Sequence, residues 1–234
     1  MISIVIPALN EARALPATLR SVAMQAGAYE LIVVDGGSTD GTPAIATTWA
    51  TEHAWSDRTR VIASPRGRAT QMNAGADIAK GEWLLFLHAD TRLPLGALDA
   101  IAGLGSAYQS GGFHHSFDVS NVRLRLVSNL HNFRCTRTGI FYGDQAMFVR
   151  RLTFVDVGGF PATPFLEDVM LSECLLRRAS PAFLDLPVIT DSRKFVSAGI
   201  LRSLFRCVTI IAAYRWGRRD AYRNLAARFF EDVR

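Results

Sequence analysis

The chain has 234 residues, 49% of them hydrophobic and 20% charged, a globular composition that excludes a disordered or fibrous chain. The net charge is +5 and the basic side is almost all arginine, 24 Arg against 2 Lys, so an anionic ligand suits the chain. No apolar run approaches the roughly eighteen residues of a membrane-spanning helix, and Cys135, Cys174 and Cys207 form neither a disulfide framework nor a zinc motif, which points to a reducing compartment, most simply the cytoplasm.

The first ninety residues alternate strand and helix signals. Residues 2–6 are an apolar run closed by Pro7 and read as a buried first strand, not a secretory leader. Asn10 is placed to cap a helix carrying Leu15, Leu19, Val22 and Ala26 on one face. Residues 31–34 form a second strand that ends in Asp35-Gly36-Gly37, and Thr42-Pro43 opens a second helix through Ile45, Trp49 and Ala50. Residues 61–63 are a brief third strand. Ala69, Met72, Ala76 and Ala79 share a face of a third helix stopped by Gly81, and residues 83–87 are a fourth strand. This rhythm predicts an α/β fold with a mostly parallel sheet and helices on both faces, its ligands at the carboxyl ends of the strands.

The second half is less regular. Gly111-Gly112 opens a strand over residues 113–119, and residues 141–149 read as another, interrupted at Gly143-Asp144. Residues 158–164 form a turn-rich loop before a helix over 165–178 with Glu167-Asp168 in its first turn. From Gly199 the chain turns helical again, with Leu201, Leu204, Phe205, Val208 and Ile211 on one face.

The strand ends hold the candidate chemistry. Asp35 can accept hydrogen bonds from a base or a ribose, whereas Asp40 reads better as a turn cap. Asp90, after His88-Ala89, can bind a divalent cation that bridges a diphosphate, with His88 either a second ligand or a packed polar residue. Arg66 and Arg68 flank Gly67 at a helix start, a setting that suits phosphate. Asp168, at a helix N-terminus, is expected near its normal pKa, ionised and able to take a proton from a hydroxyl, with Glu167 beside it.

Five motifs in order carry a resemblance: Ile6-Pro7-Ala8-Leu9-Asn10-Glu11; Val34-Asp35-Gly36-Gly37-Ser38-Thr39-Asp40-Gly41-Thr42; Gly67 with Asn73-Ala74-Gly75; Gly81-Glu82-Trp83 through His88-Ala89-Asp90; and Gly158-Gly159-Phe160 with Glu167-Asp168. The chain resembles an inverting family 2 glycosyltransferase of the GT-A fold, Rossmann-like, from Ile2 to about Phe195. It is most similar to a short bacterial subgroup with a His-Ala-Asp motif and the segment Gly143-Asp144-Gln145. The resemblance implies a catalytic domain over 1–196, with a nucleotide-binding half at 1–92 and an acceptor half at 93–196, and a helical tail at 197–234. It implies that Pro7, Ala8, Glu11 and Asp35 line the nucleotide pocket. Arg66, Arg68, Asn73, His88 and Ala89 fall on the same donor side. It also implies that Asp90 holds Mg²⁺ or Mn²⁺ and that Asp168 is the base. Tyr142, Asp144, Gln145 and Glu167 fall on the acceptor side, where His114, His115, Asn129 and His131 can also meet hydroxyls. The acceptor itself, a small molecule or a lipid, is not specified.

Two departures matter. His88 stands where the family's D-x-D motif has its first acid, and the Gln-x-x-Arg-Trp motif of processive members is missing despite Tyr214-Arg215-Trp216, which favours single transfer. The alternatives are a sugar nucleotidyltransferase, which should carry a glycine-rich loop with arginine and lysine after the first strand, and a non-catalytic sugar-nucleotide binder. A dehydrogenase lacks its G-x-G-x-x-G here. Residues 193–234 hold ten basic residues against Asp220, Glu231 and Asp232, so the positive excess sits in the tail. Its apolar face, with Phe205, Trp216, Phe229 and Phe230, is expected to pack on the catalytic domain, or else to touch the inner face of a membrane. Without aromatics interleaved among the basic residues, nucleic acid is not an expected partner.

Overall fold

The structure is a computed structural model and describes residues 1–163, 165–217 and 224–225. One eight-stranded sheet organises it, with strands β1 (Ile2–Ala8), β2 (Tyr29–Asp35), β3 (Thr59–Ala63), β4 (Trp83–Phe86), β5 (Thr91–Arg92), β6 (Ser110–Phe117), β7 (Phe148–Arg150) and β8 (Ala182–Thr190) in the order β3-β2-β1-β4-β7-β6-β8-β5. The helices are α1 (Leu15–Ala23), α2 (Thr42–Glu52), α3 (Arg68–Ile78), α4 (Ala97–Ala102), α5 (Val122–Thr138), α6 (Arg151–Asp156), α7 (Glu167–Leu176), α8 (Arg193–Ser197) and α9 (Ile200–Arg215).

β1 to β4 pair in parallel, while β7 runs antiparallel to both β4 and β6. The chain steps outward from β1 to β2 and β3, then crosses back to place β4 on the other side of β1. The order in which strands are added reverses there, while β1 and β4 stay parallel, and a crevice opens beyond their carboxyl ends. Alternation along the strands feeds two cores. Ile4, Ile6, Leu31 and Val33 face one, while Val5, Ile32 and Val34 face the other. On the second face Gly75 lets α3 lie close, because a Cβ there would stand 2.4 Å from a methyl of Val5.

Several expectations need correction. Asn10 does not cap α1, which starts at Leu15; Asn10 sits in the left-handed region (φ 55°) and its Oδ1 accepts from the Thr39 N–H at 2.8 Å. The loop after β1 is thereby tied to the loop after β2. The strand expected over 141–149 is split into a 3₁₀ turn, Gly143–Gln145, and β7, because Ala146 also turns left-handed (φ 45°). The pattern gives no element for 122–138, yet α5 forms there, capped by the Asn121 side chain and ended by Gly139. The tail helix α9 buries Ser203, Ile210 and Ala213 and leaves Leu201, Phe205 and Val208 exposed. The physical reason is fit. Ile210 and Ala213 pack on Ile140, Leu166 and Val169, which leaves the larger stripe facing outward. Phe229, Phe230, Asp220, Glu231 and Asp232 lie outside the described residues, as does Pro164 of the loop before α7.

Candidate active site

The carboxyl end of β2 forms one wall of the crevice. Asp35 is buried, and its Oδ2 accepts from the Gly37 and Ser38 N–H groups, each at 3.0 Å. Its Oδ1 is buried with no hydrogen-bond partner among the described residues, an acceptor left open. Behind it, Gln71 donates to the carbonyls of Ala8 (2.8 Å) and Val34 (2.9 Å), clamping the ends of β1 and β2. Asp40 is the turn residue expected. It accepts from the Thr42 hydroxyl at 2.5 Å and from the Ala12 N–H at 3.0 Å.

A second group gathers around one ammonium. Lys194 on α8 bonds to Glu11 Oε1 and, at 3.2 Å, to Asp90 Oδ2, so three distant segments meet at the crevice mouth. Burial pushes the Glu11 carboxyl up despite that lysine. Arg193, the other basic residue there, turns to Asp191 at 2.6 Å.

The floor is lined by Arg68, His88, Gly143, Glu167 and Asp168. α7 begins after Leu166, held left-handed (φ 63°), so that both acids open the helix. Glu167 is buried and pairs with Arg68 at 3.3 Å. Asp168 keeps an open edge; its Oδ2 accepts from the Gly143 N–H at 2.6 Å and its Oδ1 from the Val169 N–H at 2.7 Å. Burial first, then the neighbouring Glu167 charge, push its carboxyl up to about 7 despite Arg68 and the two amides. That overturns the expectation of a normal pKa. A helix start favours the carboxylate, but desolvation outweighs it. His88 is pushed down to about 4 by burial and by Arg68, so it is neutral at pH 7. A Cβ on Gly143 would stand 2.4 Å from His88 Nε2, so only glycine lets this turn reach Asp168.

Beyond the floor stand Tyr142, His131, His115 and Asp144. His131 Nε2 lies 3.5 Å from Asp144 Oδ1, and His115 Nε2 lies 3.7 Å from Asp144 Oδ2. Burial pushes His131 down to about 4 and Tyr142 up to about 12, so one is a neutral ring and the other an intact hydroxyl at pH 7. Burial opposes ionisation of Asp144, but His131, His115, His88 and Arg134 outweigh it and hold its carboxyl below the usual range. The Arg134 guanidinium lies 3.7 Å over the Tyr142 ring.

The crevice thus collects Glu11, Asp35, Arg68, His88, Asp90, Glu167, Asp168, Tyr142 and Asp144. Arg66 is exposed at its rim, and Pro7, Ala8 and Ala89 are buried in the strand ends, where they shape the wall. Three expectations fall to other duties. Asn73 spends both ends of its amide on the Phe160 backbone, at 2.9 and 3.0 Å. Gln145 is wholly buried and bonds to the Phe113 carbonyl and the Tyr142 N–H, so it cannot meet an acceptor. His114 turns away to Asp185 at 2.6 Å. Sequence reasoning missed Gln71 and the duty of Gly143. No local signal marks either residue, because their partners lie on other segments.

The profile of Glycosyl transferase family 2 matches residues 3–162. A PGL/p-HBAD biosynthesis glycosyltransferase of Mycobacterium bovis is 47% identical over 156 residues, covering 65% of this chain and 56% of its own length. Glycosyltransferase AglE of Haloferax volcanii is 28% identical over 174 residues, covering 68% of this chain and 56% of its own. The chain therefore spans about half the length of these curated relatives (56%). Among solved structures, the mannosyltransferase PcManGT of Pyrobaculum calidifontis, in complex with GDP-Man and Mn²⁺, superposes with a TM-score of 0.62 at 23% identity, over 80% of this chain and 56% of that one. TarS of S. aureus with UDP-GlcNAc gives 0.59 at 19% identity, over 81% and 58%. These likenesses show the fold, a GT-A sheet.

Proposed function

The chain belongs to glycosyl transferase family 2, and from that premise we propose that it moves one sugar from a UDP- or GDP-linked donor to a hydroxyl acceptor, with inversion at the anomeric carbon. Residues 1–92 bind the nucleotide, residues 93–196 form the acceptor half, and residues 197–234 are the tail. The solved neighbours whose complexes hold GDP-Man or UDP-GlcNAc support a nucleotide-sugar donor.

The observation that carries the reading is Asp168, a carboxylate on the crevice floor with a pKa raised to about 7, where a general base works best near neutral pH. Both of its oxygens are fixed by backbone N–H groups, which aims the remaining lone pairs. In one displacement the acceptor oxygen forms the new bond to the anomeric carbon, the bond to the diphosphate oxygen breaks, and the acceptor proton passes to Asp168. Such a step needs no covalent nucleophile. Glu167 is held on Arg68, which keeps that carboxylate from competing for the proton.

On the donor side, Asp35 Oδ1 accepts from the nucleobase, and Lys194, Arg68 and Arg66 meet the diphosphate. Asp90 and Glu11 set two hard oxygen donors around one cationic position, now taken by the Lys194 ammonium, which fits Mg²⁺ or Mn²⁺ bound by few carboxylates and shared with phosphate. Among the described residues no group of three or more ligating side chains stands there, so Asp90 would hold the ion with Glu11 nearby. The chemistry supplied at that position by a divalent cation is neutralisation of the departing diphosphate. On the acceptor side, Tyr142, His131 and Asp144 offer hydroxyl, imidazole and carboxylate partners to a hydroxylated ligand.

Asp168→Asn is the decisive variant. It keeps shape and removes the base. Transfer, read as released nucleoside diphosphate with an acceptor pool, is expected to fall at least about a hundredfold, while donor affinity by calorimetry stays unchanged. Wild-type turnover in that variant would refute the assignment of the base.

A further inference from the structure

Two helices beside the acceptor side turn apolar stripes to solvent. On α5, Val122, Leu126, Leu130 and Phe133 are 80%, 59%, 58% and 60% exposed; on α9, Leu201, Phe205 and Val208 are 74%, 65% and 62% exposed, and Trp216 follows at 76%. Steps of three and four residues put each set on one helix face. Exposed apolar residues on a soluble surface are ordinarily scattered singly, and contiguous patches mark contact sites. The charges alongside have one sign. α5 and α9 together contain seven arginines and no aspartate or glutamate.

Both helices border the same part of the crevice. Arg134 of α5 covers the Tyr142 ring, and α9 packs Ile210 and Ala213 on Ile140, Leu166 and Val169, the residues around Tyr142 and Asp168. Phe117, just before α5, meets Phe195 of α8 at 5.4 Å between centroids and ties the two regions together.

We propose that α5 and α9 form a seat for an anionic phospholipid surface, with the stripes entering the headgroup region and the exposed Arg123, Arg125, Arg137, Arg202 and Arg215 meeting phosphates, while Arg134 stays turned inward on the Ile140 carbonyl and the Tyr142 ring. The acceptor side of the crevice then faces the lipid, and the acceptor hydroxyl is carried by an amphiphile held in that surface. The last clause rests on the glycosyltransferase reading; the seat does not. Charge complementarity selects the occupant. A second copy of a chain with net charge +5 would set arginine against arginine, whereas anionic headgroups answer both the arginines and the apolar stripes.

The test is flotation of the full chain with vesicles of phosphatidylglycerol and phosphatidylcholine, against vesicles of phosphatidylcholine alone. Binding to the anionic vesicles is expected, weaker by about tenfold or more without phosphatidylglycerol or in high salt. Leu126→Ser with Phe205→Ser, and separately Arg123→Gln with Arg125→Gln and Arg202→Gln, are each expected to weaken it by about tenfold. The proposal is overturned if the wild-type chain does not float, or if both variants float like it. It is also overturned if ultracentrifugation shows a dimer that the Leu126→Ser and Phe205→Ser pair dissolves, because a second copy would then own the stripes. UDP and GDP binding by calorimetry is run on the same samples. Binding retained without flotation overturns the seat alone, while flotation without nucleotide binding overturns the glycosyltransferase reading alone.

Discussion

Asp168 answers two opposed influences. The amides of Gly143 and Val169 and the Arg68 charge favour its carboxylate, while burial and Glu167 disfavour it, and the balance lies at about 7. Only the ionised form can take a proton. The rate of transfer is therefore expected to rise with pH up to about 7 and to level off above it. His88, held at about 4, stays neutral through that range and does not account for the limb. The measurement is kcat/KM for the donor against pH, and a limb near the ordinary carboxylate value of about 4 would show that Asp168 is not the base. Asp35, Asp90 and Asp168 are legible in the sequence because each sits at a strand end or a helix start, which a local pattern reveals. The raised pKa of Asp168 is not legible, because it depends on what encloses the side chain.

At the scale of elements, α3 does more than cover the sheet. Gln71 holds the ends of β1 and β2, and two residues onward Asn73 holds the Phe160 backbone, whose ring packs on Phe86 and Phe154. Asn73→Ala is expected to destabilise the fold by about 1–3 kcal/mol, the cost of two lost hydrogen bonds and of the Phe160 backbone groups left unpaired. Denaturant unfolding measures this. Donor affinity should hardly change, whereas a tenfold loss of affinity without loss of stability would return Asn73 to the donor site. α5 escapes the sequence reading for a related reason. Its apolar residues lie both inward at Leu124 and Cys135 and outward along the Val122, Leu126, Leu130 and Phe133 stripe, so the two sets overlay one another in the sequence and blur the helical period.

Across the whole molecule, the crevice closes through contacts between segments far apart in the chain. Lys194, at the start of the last described helices, meets Glu11 from the first loop and Asp90 after the fourth strand. Lys194→Met leaves these two carboxylates facing an incoming diphosphate without their counter-ion. Donor affinity by calorimetry is expected to weaken by about tenfold or more, the worth of a charge-assisted hydrogen bond. Unchanged affinity would mean that Lys194 serves only to neutralise the empty crevice.

The sequence alone determined the alternating strands and helices of the first ninety residues, the parallel sheet they imply, the family, and the acids at the strand ends, because each of these is written in local patterns of polarity and turn residues. The tertiary structure decided that Asn73 and Gln145 serve the backbone, that Lys194 joins Glu11 and Asp90, that burial and Glu167 push the Asp168 carboxyl up, and that the tail helix faces its larger apolar stripe outward. The physical reason is common to all four. An amide, an ammonium, a carboxyl or an apolar side chain is given its role by the groups enclosing it, and those groups come from segments that only folding brings within reach.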